Sequence, residues 1–373
     1  MKILLLGDFS NYHYTLGQAL RKLGHQVTVA SNGTNWMHTQ RDISLYRRPG
    51  KLSGAWLWAK LNTVLAPRFK GYDVVQIASP IFLDLMPHRV EAFFKFIKKH
   101  NGAVYLTAIG TDTALLETAL MPDSPLVFSE WSVNGRPTEF SASDASQLSR
   151  KWLDDRMSRH CRMIYDNVDG VVSVLYEYHV AMKRYVPESK LAYGGIPIDV
   201  TGIPFNPVTI DPSRKVRVLA PFHSRRRVEK GIDLLCDIVR PFDRAEISMV
   251  SDLRLDVFLE TMRRFDFVLD QYYAHTPATT ALLCMAMGIP VATGGSAQFE
   301  AFIGRRVPVV NVNPLDHATL TGFMNHITGS EQGAKLPHDY GSLGEMLLDA
   351  RAFVEEHNAD TVVANRFLDF WRR

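Results

Sequence analysis

Short apolar runs alternate with stretches of helical spacing along most of the chain. Residues 2–6 form an apolar run that reads as a buried strand. Residues 14–23 then put Leu16, Leu20 and Leu23 on one helical face, and Gly24-His25 ends the helix before a strand at 26–30. The same alternation predicts strands at 74–78, 103–108, 170–174 and 190–193, with helices at 90–99 and 177–185. Between 196 and 213 the texture changes, and Pro197, Pro204, Pro207 and Pro212 read as a linker. A second series of strands follows at 216–220, 246–250, 267–269, 291–293 and 307–310. A last helix starts at Asp360, with Val363, Phe367, Phe370 and Trp371 on one stripe. Residues 113–148 lack periodicity and read as loops and short helices above the first sheet.

Strand–helix alternation of this kind predicts an α/β fold with parallel sheets. The 373 residues fit two domains. The expected division is an N-terminal domain at 1–198, a C-terminal domain at 199–350, and helices at 351–373 that return to the first. In doubly wound sheets ligands sit beyond the carboxyl ends of the strands, so the loops at 7–11, 109–113, 223–230, 251–253 and 271–280 are the informative ones. Composition, 46% hydrophobic and 22% charged, adds only that a sizeable core can form. A net charge of +3, with no zinc-finger or RNP pattern, points away from nucleic acid. Three widely spaced cysteines fit reduced thiols and no disulfide framework or CxxC metal site. No run approaches the ~18 apolar residues of a membrane span, and a cytoplasmic location is expected.

Candidate chemistry concentrates at 223–235. Arg225 and Lys230 lie on a strand-to-helix loop, where a helix N-terminus offers free N–H groups beside two cations. Arg grips phosphate oxygens bidentately and Lys adds a point charge. The alternative for the same residues is a solvated basic run. His223, Ser224, Asp252 and Leu253 belong to the same set of loops. Thr276-Pro277-Ala278-Thr279 reads as a second helix start, with Thr276 as N-cap and Pro277 in the first turn. Asp270 and Gln271, at a strand end, are candidates to face a ligand or to brace the Arg225 loop, and Glu300 is the acid that follows a Gly-Gly turn. Gly7 could let a phosphate approach the backbone, although no GxGxxG follows the first strand. In the loops of the first sheet the candidates are His13, Gly110, Thr111 and Asp112, with helix capping the simpler use of Asp112. The lone histidines His13 and His275 equally fit structural roles. The stretches 52–66 and 89–99 carry aromatic or aliphatic faces flanked by lysines, and could either pack on a sheet or lie on an anionic membrane.

Taken in order, these segments resemble the GT-B glycosyltransferases, especially the retaining family-four type. Gly24-His25-Gln26-Val27 resembles that family's Gly-His-Glu-Val, and residues 72–80 its Tyr-Asp-Val-Val-His-x-His-Ser-Pro. Ile109-Gly110-Thr111-Asp112 resembles its His-Gly-Ser/Thr-Asp loop, and 168–174 its Ala-Asp-x-Val-x-x-Val strand. Gly195-Ile196-Pro197-Ile198-Asp199 resembles its interdomain crossover. Residues 224–231 are similar to Gly-Arg-x-x-x-x-Lys-Gly, which aligns Arg225 and Lys230 with its phosphate cations. Residues 285–291 are similar to its Glu-Ala-Met-Ala-x-Gly-x-Pro-Val. A bacterial subset of polysaccharide glycosyltransferases is similar at 270–278 and 281–288. Two departures stand out. The family's Glu-x7-Glu pair falls near Thr276 and Cys284, and its loop His falls at Ile109.

The resemblance implies two Rossmann-like domains facing a cleft. The C-terminal one would hold a nucleotide-diphosphate sugar and the N-terminal one a glycan or lipid-linked acceptor. It implies a metal-independent, retaining transfer with no cofactor beyond the donor, in which Arg225, Lys230, Glu300 and Asp270 carry catalysis. Two other readings stand beside it: a non-catalytic relative that binds a nucleotide or glycan, and a sugar-nucleotide epimerase.

Overall fold

The computed structural model describes residues 1–33 and 40–373, apart from the side chain of Arg225. The chain divides into two units. The first comprises Met1–Thr118, Ser149–Pro197 and Asp360–Arg373, and the second Ala119–Leu148 and Ile198–Ala359. This differs from the expected division in two places. Residues 119–148, expected above the first sheet, group with the second unit. The helix Leu343–His357 also stays with the second unit, and the return to the first begins only at Asp360.

In chain order, β1 (Lys2–Leu6), β2 (Gln26–Ser31), β3 (Ile43–Ser44), β4 (Val74–Ala78) and β5 (Ala103–Ala108) open the first sheet. The strands β6 (Ser132–Val133) and β7 (Arg136–Pro137) form a separate hairpin in the second unit. β8 (Gly170–Ser173) and β9 (Leu191–Tyr193) complete the first sheet, in the order β3-β2-β1-β4-β5-β8-β9. Every pairing in it is parallel. A parallel sheet needs both faces covered, which explains why a central strand such as β1 reads as an apolar run: Ile3, Leu4, Leu5 and Leu6 are all fully buried.

The last helix, Asp360–Trp371, seals this unit. Its apolar stripe buries Val363, Phe367, Phe370 and Trp371. Glycines on the sheet make room for it: a Cβ on Gly170 would lie 2.7 Å from the Phe370 ring, and one on Gly194 2.8 Å from that of Phe367. Lys22 pairs with Asp360 at 2.8 Å, and Arg366 donates to the Gly194 carbonyl at 3.0 Å. Trp371 Nε1 donates to Gln76 Oε1 at 3.0 Å in the middle of the sheet.

The second sheet holds β10 (Val216–Phe222), β11 (Ala245–Ser251), β12 (Phe267–Leu269), β13 (Val291–Thr293) and β14 (Val310–Asn311). All are parallel, in the order β11-β10-β12-β13-β14. Strand propensity extends back to Val307, but pairing begins only at Val310. One core cluster joins these strands to the helices Ile232–Val239 and Ala318–Thr328. Helix Thr279–Met287, buried along its whole length from Ala281, packs with Leu343–His357.

The β6–β7 hairpin has the two-residue turn Asn134-Gly135, both residues at positive φ (48° and 72°). That is the geometry of a type I′ turn, which matches the twist of the strands it joins and favours Asn-Gly.

Replacing Trp371 by Phe would keep the ring but leave the buried Gln76 oxygen without a donor. The expected loss is about 1–3 kcal/mol, measured as a lower urea midpoint at constant slope.

Candidate functional site

At the carboxyl end of β10 the chain makes a turn at Ser224–Arg226, a short helix at Arg227–Lys230, and then Gly231. Gly231 has φ 66°, and a Cβ there would meet the Tyr272 Cβ at 2.8 Å, so only glycine lets the loop close onto the end of β12. The Tyr272 N–H donates to the Lys230 carbonyl at 3.0 Å and fastens the two loops together. The basic run then sorts by partner. Arg226 is bidentate to Glu229 and Arg227 to Asp233, both at the surface. Lys230 turns inward, and its Nζ lies 3.1 Å from Asp270 Oδ1. Arg225 sits in the turn, but its side chain lies outside the described residues.

Asp270 follows the last residue of β12 and its side chain is fully buried. A buried carboxylate needs a charge partner, and Lys230 is that partner. Its second oxygen, Oδ2, has no hydrogen-bond partner among the described residues, and neither has the buried hydroxyl of Thr293. The register Leu269↔Ala292 makes Asp270 and Thr293 lateral neighbours at adjacent strand ends. Two unsatisfied polar atoms at adjacent strand ends, both closed off from solvent, lie with an inward-turned cation at the end of the sheet where this fold binds ligands.

The second helix start is displaced from its expected place. Helix Thr279–Met287 begins at Thr279 with Ala278 as N-cap, so Thr276 does not cap it and Pro277 precedes it. Thr276 and Pro277 are buried, whereas Ala278, Thr279 and Gln271 are half-buried on the approach to the helix. His275 is structural: its ring stacks on Phe128 with centroids 3.9 Å apart, and its nitrogens contact Ser296 Oγ and the Phe128 carbonyl. Gly294 allows the tightest approach nearby, since a Cβ there would lie 1.8 Å from the Ala274 carbonyl oxygen. Asp252, at φ 55°, accepts from the Ser224 N–H at 3.2 Å and lies 3.5 Å from His223. The Ser224 hydroxyl first, and then its N–H, hold the Asp252 carboxyl below its usual range. Leu253 follows, half-buried.

Glu300 does not join this group. Its carboxylate accepts from the Val307 N–H at 2.8 Å and lies 3.3 Å from His338. Val307 precedes β14, so Glu300 reaches back toward the start of that strand, while Lys230 and Asp270 lie at strand ends. Both contacts fall on Oε1, which holds the loop before β14. Cys284, where the resemblance places an acid, is fully buried, and burial pushes its thiol well above its usual range.

The first-unit candidates have structural partners of their own. Asp112 accepts from the Leu115 N–H at 3.0 Å as a helix cap and from the Tyr165 hydroxyl at 2.7 Å, and burial raises its pKa. Gly110 has φ 75°, and Thr111 beside it is half-buried. Gly7 has φ 81°, and a Cβ would sit 3.2 Å from the Phe82 carbonyl, so the glycine answers to backbone packing. His13 is fully buried in a polar chain. Its Nδ1 donates to the Gly7 carbonyl at 2.7 Å, which leaves Nε2 to accept from Thr107 at 3.1 Å. Thr107 accepts in turn from Gln76, which accepts from Trp371.

Sequence reasoning passed over Asp8, whose carboxylate accepts from the N–H groups of His13 and Tyr14, and also Thr293, Tyr272, Tyr273 and the hairpin. The Asn134-Gly135 pair was the available signal for the hairpin. Thr293 shows only once strand register is known.

No family model and no curated protein matches the sequence. Solved structures match across its whole length. Sucrose-phosphate synthase from Thermosynechococcus elongatus is 13% identical, with 100% of this chain and 98% of that one covered, at a TM-score of 0.58. An alpha-glucosyltransferase solved with UDP and a 13-mer DNA is 11% identical, covering 100% and 99%, at 0.57. HepE from Anabaena, in complex with UDP, is 12% identical, covering 99% of both chains, at 0.51. The chain has the GT-B fold. At these identities the likeness speaks of architecture, and any activity has to be argued from the residues.

Burial lowers the His13 pKa to about 4 and raises that of Asp8 to about 6. The signs are opposite. His13 is neutral in the fold, so its contribution is complete above the unfolded value near 6.5 and is lost as pH falls toward 4. The Asp8 contribution is complete below the unfolded value near 3.8 and is lost as pH rises through 6. His13→Gln removes only the first term. The stability gap between wild type and variant should therefore shrink as pH is lowered from neutral toward the His13 value, read by urea unfolding at each pH. A constant gap would contradict the burial argument.

Proposed function

We propose that the protein is a glycosyltransferase that moves a sugar from a nucleotide-diphosphate sugar to a glycan or lipid-linked acceptor. The observation that carries the reading is the inward-turned Lys230, paired with buried Asp270 at the carboxyl end of the second sheet. As the bond to the anomeric carbon breaks, negative charge builds on the diphosphate. Lys230, the neighbouring Arg225 and the N–H groups at the start of helix Thr279–Met287 are the stabilising groups for that charge. Cations and helix dipole do this work without a metal ion. Retention of anomeric configuration follows if the departing phosphate oxygen takes the acceptor proton on the same face. That step needs no protein carboxylate, in keeping with Thr276 and Cys284 where the resembling family has acids. Asp270 then anchors Lys230.

The lipid-linked form of the acceptor has support of its own. Residues 45–72 contain no Asp or Glu but six cations: Arg47, Arg48, Lys51, Lys60, Arg68 and Lys70. Within this stretch, helix Lys51–Asn62 exposes Leu52 (88%) and Trp56 (62%). A basic stretch with no acid of its own, although its Arg47 is paired with Asp84, and with exposed apolar side chains suits peripheral contact with an anionic membrane. No helix among the described residues is long and apolar enough to cross one.

A binding-only relative is the second reading. Its support is that Glu300 is committed elsewhere and Thr276 and Cys284 are buried. The two part on turnover: release of UDP from a UDP-sugar in the presence of acceptor is expected only from the enzyme.

Calorimetry with UDP tests the phosphate assignment. Lys230→Met alone would strand a buried carboxylate, so the Lys230→Met/Asp270→Asn pair is the folded control. Both should bind UDP weaker by about 1.5–3 kcal/mol, a factor of roughly ten to a hundred or more. Wild-type affinity in the double variant would remove Lys230 from the phosphate site.

Glu300→Gln should lower the melting temperature by a few degrees through the Val307 and His338 contacts. It should leave UDP affinity unchanged. A loss of UDP affinity without loss of stability would return Glu300 to the site.

A further inference from the structure

We propose that the second unit contains a separate binding site for a sugar ring carrying an acidic group, in a cavity walled by the β6–β7 hairpin. The cavity measures about 670 Å³ and is lined by Asn134 and Arg136 from the hairpin, by Tyr272 and Tyr273 after β12, by Pro314 after β14, and by Leu234. That volume falls within the usual size of a small-ligand site.

The chemistry of the lining selects the ligand. Arg136 is its only ionised side chain, and no acid lines the cavity. Arg136 makes no ion pair among the described residues, whereas Arg226 and Arg227 in the same unit are both paired with acids. An unpaired guanidinium presents a planar fork suited to a carboxylate, sulfate or phosphate. The two tyrosines supply flat apolar faces of the kind on which the C–H face of a sugar ring packs. Their centroids are 5.0 Å apart at an interplanar angle of 78°. They are held in place, Tyr272 by its hydroxyl on His317 and by contact with Gly231, and Tyr273 against Gly231 as well. The hairpin is equally fixed. The type I′ turn sets Asn134 in the turn and Arg136 just beyond it, so an amide and a cation reach the cavity from one rigid element. Room for a ring, a fixed aromatic pair, an amide and a guanidinium with no ion-pair partner among the described residues together describe an acidic monosaccharide unit, although Glu130 and Glu139 act on the Tyr273 side of the wall.

The site stands on the cavity alone. Its role in the reaction rests on the glycosyltransferase reading. The Tyr272 N–H that donates to the Lys230 carbonyl places the cavity wall and the proposed phosphate cation on touching loops. In that reading the cavity is an acceptor subsite, and the acceptor is an acidic glycan.

The test is binding of trigalacturonate to the full chain by calorimetry, with maltotriose as the neutral control and UDP as the probe of the Lys230 site. Trigalacturonate should bind, with maltotriose weaker by about tenfold or more. Arg136→Gln and, separately, Tyr273→Ala should each weaken trigalacturonate by about tenfold while UDP affinity stays unchanged. Equal affinity for the two oligosaccharides, no binding of trigalacturonate at millimolar concentration, or wild-type affinity in Arg136→Gln would each overturn the proposal. If trigalacturonate behaves as expected but UDP does not bind, the cavity stands and the glycosyltransferase reading falls. The reverse result removes the cavity and leaves that reading intact.

Discussion

A carboxylate taken wholly out of water costs several kcal/mol unless a cation comes with it, and Asp270 is such a carboxylate. The cation arrives from a different strand. Lys230 closes the loop after β10 and Asp270 opens the loop after β12, so their pairing ties together two of the carboxyl-end loops of the second sheet. The geometry around it follows from that constraint. Residue 231 must be glycine at positive φ, because Tyr272 lies against it. Arg226 and Arg227 turn outward to Glu229 and Asp233, because the inward position is taken by Lys230. The Tyr272 and Tyr273 rings are then fixed beside the pair. A charge pair buried this deeply is a weak source of net stability but a strong source of position. It holds an ammonium group ready at the end of a sheet.

The first unit relies on a neutral polar device instead. Trp371, Gln76, Thr107, His13 and the Gly7 carbonyl form a chain in which each donor finds one acceptor, with a single consistent direction. Burial keeps His13 uncharged, and only the neutral imidazole can both donate to Gly7 and accept from Thr107. The chain therefore links the terminal helix to the loop after β1 without placing any charge in the sheet. Its members come from four elements spread over the sequence, so the order of the first sheet and the return of the terminal helix are specified together. The returning stretch is also tied where it starts: Ile198, at the first passage between the units, takes a 2.7 Å hydrogen bond from its own N–H to the Asn358 carbonyl near the second.

Much of the architecture could be read from local pattern. β1, β4, β5, β12 and β13 have the limits that their apolar runs suggest, because strands buried on both faces read as near-continuous apolar runs, interrupted here only by buried polar residues such as Gln76 and Thr107. The stripe on Asp360–Trp371 announced a packed helix for the same kind of reason. Lys230 was legible through its place between a strand and a helix. Long-range facts were not. Nothing in residues 119–148 says which sheet they will join, since their hydrogen bonds and stacking partners, such as His275 for Phe128, are far away in sequence. Thr276 looked like an N-cap because Thr-Pro suits a helix start, yet the helix begins three residues later, with an uncapped Ala278. Glu300 looked like a free acid after a Gly-Gly turn. Its partners Val307 and His338 become visible only when the chain is folded. His13 and Asp112 fitted both functional and structural uses, and their buried hydrogen-bond partners could not be read from the sequence.

The distribution of acids bears on how chemistry would proceed. In the second unit the acids that sequence and resemblance pointed to are each accounted for. Asp252 braces the loop at Ser224, Glu300 holds the loop before β14, and Asp270 neutralises Lys230. Cys284 cannot substitute, because its thiol is buried and pushed well above its usual range. What remains at the carboxyl ends of this sheet is positive or neutral: Lys230, Arg225 on its turn, a helix N-terminus, and the unsatisfied Thr293 hydroxyl beside the open Asp270 oxygen. Such a set is suited to receiving negative charge and unsuited to attacking as a nucleophile. A reaction that builds charge on a departing diphosphate, and returns the acceptor proton to that same group, asks the protein for no more than this.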